Sequence, residues 1–267
     1  MPILHLFLVA IIQGLTEFLP VSSSGHLILL PALTGMDDQG LVIDVAVHVG
    51  TLFAVIIYFW ADVRLALAGI PRLLRRRVDT QGTWLSMCLA IATVSVVIVG
   101  LILNVTGLDE MMRGVAVIGW TMLIFGLVLY WADQRGTQTK VASQWSLRDA
   151  VIMGLWQVVA LIPGTSRSGI TITGGRLLGY ARPDAAKLAM LMSIPTIAAS
   201  GVLLGAKVAM QADTAAAKDG AIAAVFAFFA ALLALALMMR LLRSVSFTPY
   251  VIYRVALGIV LLIYAYS

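Results

Sequence analysis

Polar residues are spaced so widely along this chain that the stretches between them reach membrane-crossing length. Apolar runs fall at residues 43–61, 84–104, 114–131, 185–207, 220–240 and 249–266. Each is close to the roughly 20 residues a helix needs to cross the hydrocarbon core of a bilayer. The stretch 220–239 holds no charged residue at all. Two other apolar segments are interrupted. Residues 3–35 are broken by Gln13, Glu17, Pro20 and the run Ser22-Ser23-Ser24-Gly25-His26, and residues 149–181 by Gln157, Pro163, Gly164 and the run Thr165-Ser166-Arg167-Ser168-Gly169. Each reads as two short helical stretches around a polar, flexible centre, and neither half can span alone. The pattern predicts re-entrant helical hairpins, because irregular backbone is tolerated at membrane depth only when protein buries it or a wet cavity solvates it.

The two broken segments resemble each other. Gly14-Leu15-Thr16-Glu17 aligns with Gly154-Leu155-Trp156-Gln157. The stretch from Pro20 to Gly25 aligns with that from Pro163 to Gly169 with one residue inserted, Gly35 with Gly179, and Thr51-Leu52 with Thr196-Ile197. Each half of the chain then reads as a hairpin plus three spans, 1–135 and 145–267 within one membrane domain of residues 1–267. Three spans are an odd number, so the second half is inverted relative to the first.

Loop charge agrees with that arrangement. Arg64, Arg72, Arg75, Arg76 and Arg77 follow the first span, Arg135, Lys140 and Arg148 follow the third, and Arg240 and Arg243 close the fifth. The loops after the second and fourth spans hold only Arg113 and the pair Lys207 and Lys218. Basic loops lie on the cytoplasmic side, which places both termini outside and lets the hairpin tips meet near the membrane centre.

Composition supports an all-α integral membrane protein with six transmembrane helices, two re-entrant hairpins and an inverted-topology repeat. The chain is 61% hydrophobic and 12% charged, against roughly 45–50% apolar and about 25% charged in soluble domains. Its net charge of +5 follows from the basic loops. No basic-aromatic surface for nucleic acid is visible. Cys88 is the single cysteine, which excludes an internal disulfide. The N-terminus lacks a basic n-region and a small-residue cleavage site, so no signal peptide is expected.

Ionisable groups within a membrane are costly, and they mark function. Glu17, His26 and Arg167 all lie in the broken segments. Each has a structural reading too: a carboxylate bonded to backbone or arginine, a satisfied buried histidine, and a tie for free carbonyls. Together at two meeting tips they point instead to an anion site. Ser22, Ser23 and Ser24 precede an expected helix from Leu27 to Leu33, and Ser166 and Ser168 precede one from Ile170 to Leu178. Serine caps helix starts, and free amides there bind phosphate. The planar fork of Arg167 suits phosphate. Ser23 and His26, three residues apart, share a helical face and could serve as nucleophile and proton carrier. Glu17 could orient His26 or bind a divalent ion. The residues leave open whether Ser23 or water attacks. A Walker loop and the zinc motif HExxH are both absent.

The segment from Gln13 to His26 resembles the first signature of bacterial undecaprenyl-diphosphate phosphatases of the bacitracin-resistance type. Ala160 to Gly169 with Thr171 resembles the second. The resemblance covers nearly the whole chain. It implies hydrolysis of undecaprenyl diphosphate, a phosphoric anhydride, to the monophosphate, recycling the carrier lipid of cell-wall synthesis and giving bacitracin resistance. It also implies a multi-pass protein of the bacterial inner (cytoplasmic) membrane and a divalent cation, magnesium or calcium, with Glu17 as the candidate ligand and no organic cofactor. Its substrate is a polyprenyl diphosphate lipid among membrane lipids. Nucleic acid is no partner, and oligomeric state, a homodimer included, is left open.

The family's functional positions fall on Glu17, Ser23, His26 and Arg167. Gln13, Ser22, Ser24, Thr165, Ser166, Ser168 and Thr171 lie beside them as candidate substrate contacts. Gln13 occupies the first position of the paired acidic motif (E/Q)xxxE, so one carboxylate is missing. Type-2 phosphatidic acid phosphatases share a Ser-Gly-His piece but need a histidine beyond a Ser-Arg pair, and none follows Arg167. The rival function is a lipid or anion transporter or flippase with the same midplane site.

Overall fold

A computed structural model of the chain describes residues 2–35, 39–209 and 214–267. Among these the regular structure is helical, with one isolated bridge between Lys140 and Tyr180. The order is α1 (Ile3–Phe18), α2 (Ser23–Thr34), α3 (Gly40–Tyr58), α4 (Trp60–Leu74), α5 (Gln81–Thr106), α6 (Leu108–Met111), α7 (Val115–Arg135), α8 (Leu147–Val158), α9 (Arg167–Leu177), α10 (Arg182–Ala209), α11 (Thr214–Leu241) and α12 (Thr248–Tyr266). Helices α3, α5, α7, α10, α11 and α12 are long and apolar enough to cross a membrane. The chain is therefore a multi-pass membrane protein.

Its surface and interior reverse the soluble arrangement. Ile98, Leu101, Ile102 and Val105 on α5 and Val225, Phe229, Leu233 and Leu237 on α11 are exposed, whereas Gln13, Gln157, Thr165, Arg176 and Arg254 are buried. In hydrocarbon an apolar exterior costs nothing, while every inward polar group needs a partner.

The basic segment after the first span, expected as a loop, is the helix α4. Its apolar positions Val63, Ala66 and Gly69 recur at helical spacing and are buried. The exposed arginines conceal that period in the sequence. Gly69 and Gly82 of α5 approach until neither has room for a Cβ, and the Ser86 hydroxyl donates to the Ala66 carbonyl at 2.5 Å. Backbones in contact through small residues are how membrane helices pack when no solvent drives them together. The side chain of Lys207 lies outside the described residues.

Both broken segments fold as helix–break–helix, with α1 packed on α2 and α8 on α9. Each first helix leans on a span from the other half of the chain. A Cβ on Gly14 of α1 would lie 2.6 Å from Ala230 Cβ on α11, and one on Gly154 of α8 would lie 2.6 Å from the Ala92 carbonyl oxygen on α5. Helix α2 is capped by left-handed Gly35 at φ 67°, and α9 is followed, after its cap Leu178, by left-handed Gly179 at φ 92°.

The second hairpin is anchored at its base by charge. The Asp133 carboxylate at the end of α7 accepts from Arg176 Nε at 3.0 Å, Arg182 Nε at 2.8 Å and the Phe247 amide at 3.2 Å. That one side chain ties α7 to α9, α10 and the start of α12. Nearby, Asp149 accepts from Lys140 at 3.0 Å and the Tyr180 hydroxyl at 2.7 Å. Burial pushes the Asp149 carboxyl up, but these donors outweigh it and hold the group below the usual carboxylate range.

Candidate active site

The helix starts lie earlier than their sequence patterns imply. Helix α2 begins at Ser23 with Ser22 as its cap, and α9 begins at Arg167 with Ser166 as its cap. Ser23 and Arg167 therefore occupy the first turns of two helices rather than the loops before them. Both caps take left-handed backbone, φ 74° at Ser22 and 69° at Ser166, which is uncommon for a residue with a side chain. The conformation turns each hydroxyl back onto its helix. Ser22 Oγ accepts from the Gly25 amide at 3.4 Å and Ser166 Oγ from the Gly169 amide at 3.1 Å. Two helix N-termini thus meet at one place, which favours negative charge.

The tips are held together across the chain. Ser168 Oγ donates to the Leu19 carbonyl at 2.9 Å. Arg254 of α12, fully buried, reaches both breaks. Its Nη2 donates to the carbonyls of Gly164 at 3.1 Å and Thr165 at 2.8 Å, and its Nη1 points to the Pro20 carbonyl at 3.5 Å.

At the junction sits the buried carboxylate of Glu17. Arg167 donates to Oε1. Oε2 accepts from Gln13 Nε2 and Ser23 Oγ, both at 2.7 Å, and His48 Nε2 of α3 stands 3.8 Å away. Thr171 Oγ1 donates to the Arg167 carbonyl at 2.7 Å, tying the first turn of α9 that carries Arg167. The corresponding position of the second half is Gln157, whose amide donates to Thr196 Oγ1 of α10 at 3.2 Å. At this aligned position only the first hairpin carries a carboxylate, and the second supplies its counter-charge from Arg167.

The structure thus brings Gln13, Glu17, Ser23 and Arg167 into one connected cluster, with Ser22, Ser166, Ser168 and Thr171 shaping the two helix starts. Thr165 is buried, and its hydroxyl has no hydrogen-bond partner among the described residues. Ser24 is exposed, and its hydroxyl lies 3.3 Å from Ser22 Oγ. The pairing of Ser23 with His26 read from their spacing is not a hydrogen bond here, and Glu17 does not orient His26. Instead His26 Nδ1 lies 2.6 Å from the Ser22 carbonyl and Nε2 lies 2.6 Å from the Tyr253 hydroxyl. Ser23 meets Glu17 because its place in the first turn of α2 turns the hydroxyl toward α1.

His48, Tyr253 and Arg254 are the site residues that the sequence reading missed. His48 and Arg254 are ionisable groups inside apolar runs, so the rule that singled out Glu17 would have found them. Tyr253 carries no such signal, since tyrosines are common at span ends.

A serine hydroxyl donating to a buried carboxylate can be activated by it, and an arginine on the other carboxylate oxygen can move to an incoming phosphate. No group of three histidine, cysteine or acidic side chains suited to a metal occurs among the described residues. Gln13 Oε1, buried beside Glu17 and without a hydrogen-bond partner, is nevertheless an unused oxygen. The amide now turns its Nε2 toward the carboxylate, so the two side chains would offer oxygens to one magnesium-like ion only with that amide turned over.

Comparison with known proteins adds an independent observation. The family described as "Bacitracin resistance protein BacA" matches residues 6–260. A protein of Dinoroseobacter shibae named undecaprenyl-diphosphatase is 74% identical over 267 residues, 100% of both chains. A Ruegeria pomeroyi protein of the same name is 70% identical over the same full length. One from Saccharophagus degradans is 43% identical over 258 residues, 97% of this chain and 96% of its own.

Proposed function

Since the chain belongs to the bacitracin resistance protein BacA family, and its relatives are named undecaprenyl-diphosphatase, we propose that it hydrolyses undecaprenyl diphosphate to undecaprenyl phosphate and inorganic phosphate. The observation that carries the chemistry is the Glu17 carboxylate, with the Ser23 hydroxyl on one oxygen and Arg167 on the other.

In this mechanism the diphosphate enters between the two helix starts, and Arg167 turns from Glu17 to the phosphate oxygens. Ser23 Oγ attacks the terminal phosphorus while its proton passes to Glu17. The bond from phosphorus to the bridging oxygen breaks, and undecaprenyl phosphate leaves. Water then attacks the phosphoserine and gives a proton to His26, while Glu17 returns its proton to the leaving Ser23 Oγ and inorganic phosphate departs. Positive charge fixed around the transferring group supplies most of the rate enhancement, as in other phosphoryl transfers. Gln13 and Glu17 would hold a magnesium or calcium ion, which when bound would neutralise phosphate charge.

A carrier would need Arg167 as a counter-charge but has no use for a serine hydroxyl bonded to a buried carboxylate. The phosphatase reading is therefore the better fit. The proposal extends to location: the inner (cytoplasmic) membrane, with both termini outside and the hairpins re-entrant from opposite sides, in keeping with the basic loops. The matched contacts of Gly14 and Gly154 with the opposite half support an inverted repeat, 1–135 against 145–267.

The test is phosphate release from undecaprenyl diphosphate by detergent-purified protein, with and without magnesium or calcium. Wild type should release phosphate, and Arg167→Ala and Ser23→Ala should each lose at least about a hundredfold, the scale at which one transition-state contact is felt. No release from folded wild type under any of these conditions would falsify the enzyme reading and favour a lipid or anion carrier.

A further inference from the structure

His26 is held by a residue of the last helix, 227 positions away in sequence. Its Nδ1 lies 2.6 Å from the Ser22 carbonyl, which can only accept, so Nδ1 carries a proton. In the neutral ring Nε2 is then the lone-pair nitrogen, and it accepts from the Tyr253 hydroxyl at 2.6 Å. The two rings lie parallel, 3° apart in plane with centroids 5.6 Å apart. Both ring nitrogens and one ring face are therefore engaged, which fixes tautomer and orientation together. Tyr253 immediately precedes Arg254, which ties Pro20, Gly164 and Thr165. Two consecutive residues of α12 thus fix the hairpin junction and the imidazole beside it.

We propose that Tyr253 is a positioning residue for the phosphatase reaction, acting through His26: its hydroxyl and ring hold the imidazole in one orientation and in the tautomer whose lone pair is on Nε2. Nδ1 is committed to Ser22, so any proton that His26 gives or takes passes at Nε2, where Tyr253 already stands. The idea rests on the phosphatase reading above, and its test separates the two.

Tyr253→Phe keeps the ring and removes only the hydroxyl. The expected result is a fall in kcat of about tenfold, part of the ~10²–10⁴ that acid–base groups contribute, with KM nearly unchanged. In a His26→Asn background the same substitution should cost nothing further, because its effect runs through the imidazole. Nitrogen-15 spectra of histidine-labelled protein give a readout independent of turnover. The chain has three histidines, and His26→Asn identifies the signal. Loss of the phenol should move the Nε2 resonance toward that of an unbonded lone-pair nitrogen. An unchanged Nε2 resonance, an unchanged kcat, or an equal loss in both backgrounds would overturn the proposal. If wild type releases no phosphate, the phosphatase reading fails by itself, while the spectrum still decides whether Tyr253 holds His26.

Discussion

Arg167 of the second hairpin donates to Glu17 of the first, joining residues 150 apart in sequence in a pair buried at the helix junction. The Glu17 side chain is 4% exposed and that of Arg167 19%, so removing the arginine strands the more buried charge. Breaking a buried ion pair from one side costs about 3–5 kcal/mol, whereas replacing both partners with apolar or neutral groups is often neutral. Thermal unfolding in detergent should rank Arg167→Met below wild type, with the double variant Glu17→Gln/Arg167→Met recovering much of the loss but no phosphatase activity. If the double variant unfolds no higher than the single, the two charges are not coupled in the folded protein.

The two serine caps make the same two demands on any replacement, an acceptor for the amide three residues on and a left-handed backbone. Alanine at Ser166 loses the bond to the Gly169 amide and keeps the left-handed backbone, whereas glycine loses the same bond but accepts φ 69° without strain. Alanine at a cap costs about 1 kcal/mol and glycine only a few tenths. Unfolding temperatures should therefore fall in the order wild type, Ser166→Gly, Ser166→Ala, and the same order should hold at Ser22. Alanine variants more stable than their glycine counterparts would show that backbone conformation is not what selects the position.

Much of this architecture is legible in the sequence because the bilayer imposes a simple rule. A run of about 20 apolar residues is a span, and the two segments that break the rule supply the helix breaks around the site, at residues 19–22 and 162–166, with their serine runs opening the helices that follow. The same rule hides other features. Helix α4 is short, carries Arg64 and Arg72 and runs straight into Arg75, Arg76 and Arg77, so its buried stripe of Val63, Ala66 and Gly69 reads as part of a basic loop. Spacing suggested Ser23 with His26, but a one-turn shift in where α2 begins gave Ser23 to Glu17 and His26 to Tyr253. Partnerships such as Arg254 with Gly164 or His48 with Glu17 are set by how helices distant in sequence pack, and no periodicity within one helix encodes them.

Arg254 is the buried cation that joins both breaks, and it does so through carbonyls rather than a carboxylate. Replacing it with methionine removes a charge from the interior but releases acceptors at the breaks in both hairpins. Those effects oppose each other in stability and not in function, since the tips lose their common tie. Arg254→Met should unfold near wild type yet lose more than about tenfold in phosphate release, because small misplacements of catalytic groups are costly. Arg254→Lys, a point charge without the planar fork, should fall between the two. Wild-type turnover in Arg254→Met would show that the junction holds without it.

Membrane disposition can be read chemically with few background signals, because the lone cysteine, Cys88, is fully buried. Ser24 is exposed at the first hairpin tip, and Gln138 is exposed in the basic loop after α7. With both termini outside, the first hairpin opens outward and the Gln138 loop faces the cytoplasm. In intact cells a membrane-impermeant maleimide should label Ser24→Cys and a Ser267→Cys variant at the C-terminus, and should label Gln138→Cys only after permeabilisation. Labelling of Gln138→Cys in intact cells would invert the whole chain. It would also turn the first hairpin and its Ser23–Glu17 pair toward the cytoplasm, so the phosphate released by hydrolysis would leave on the inner side.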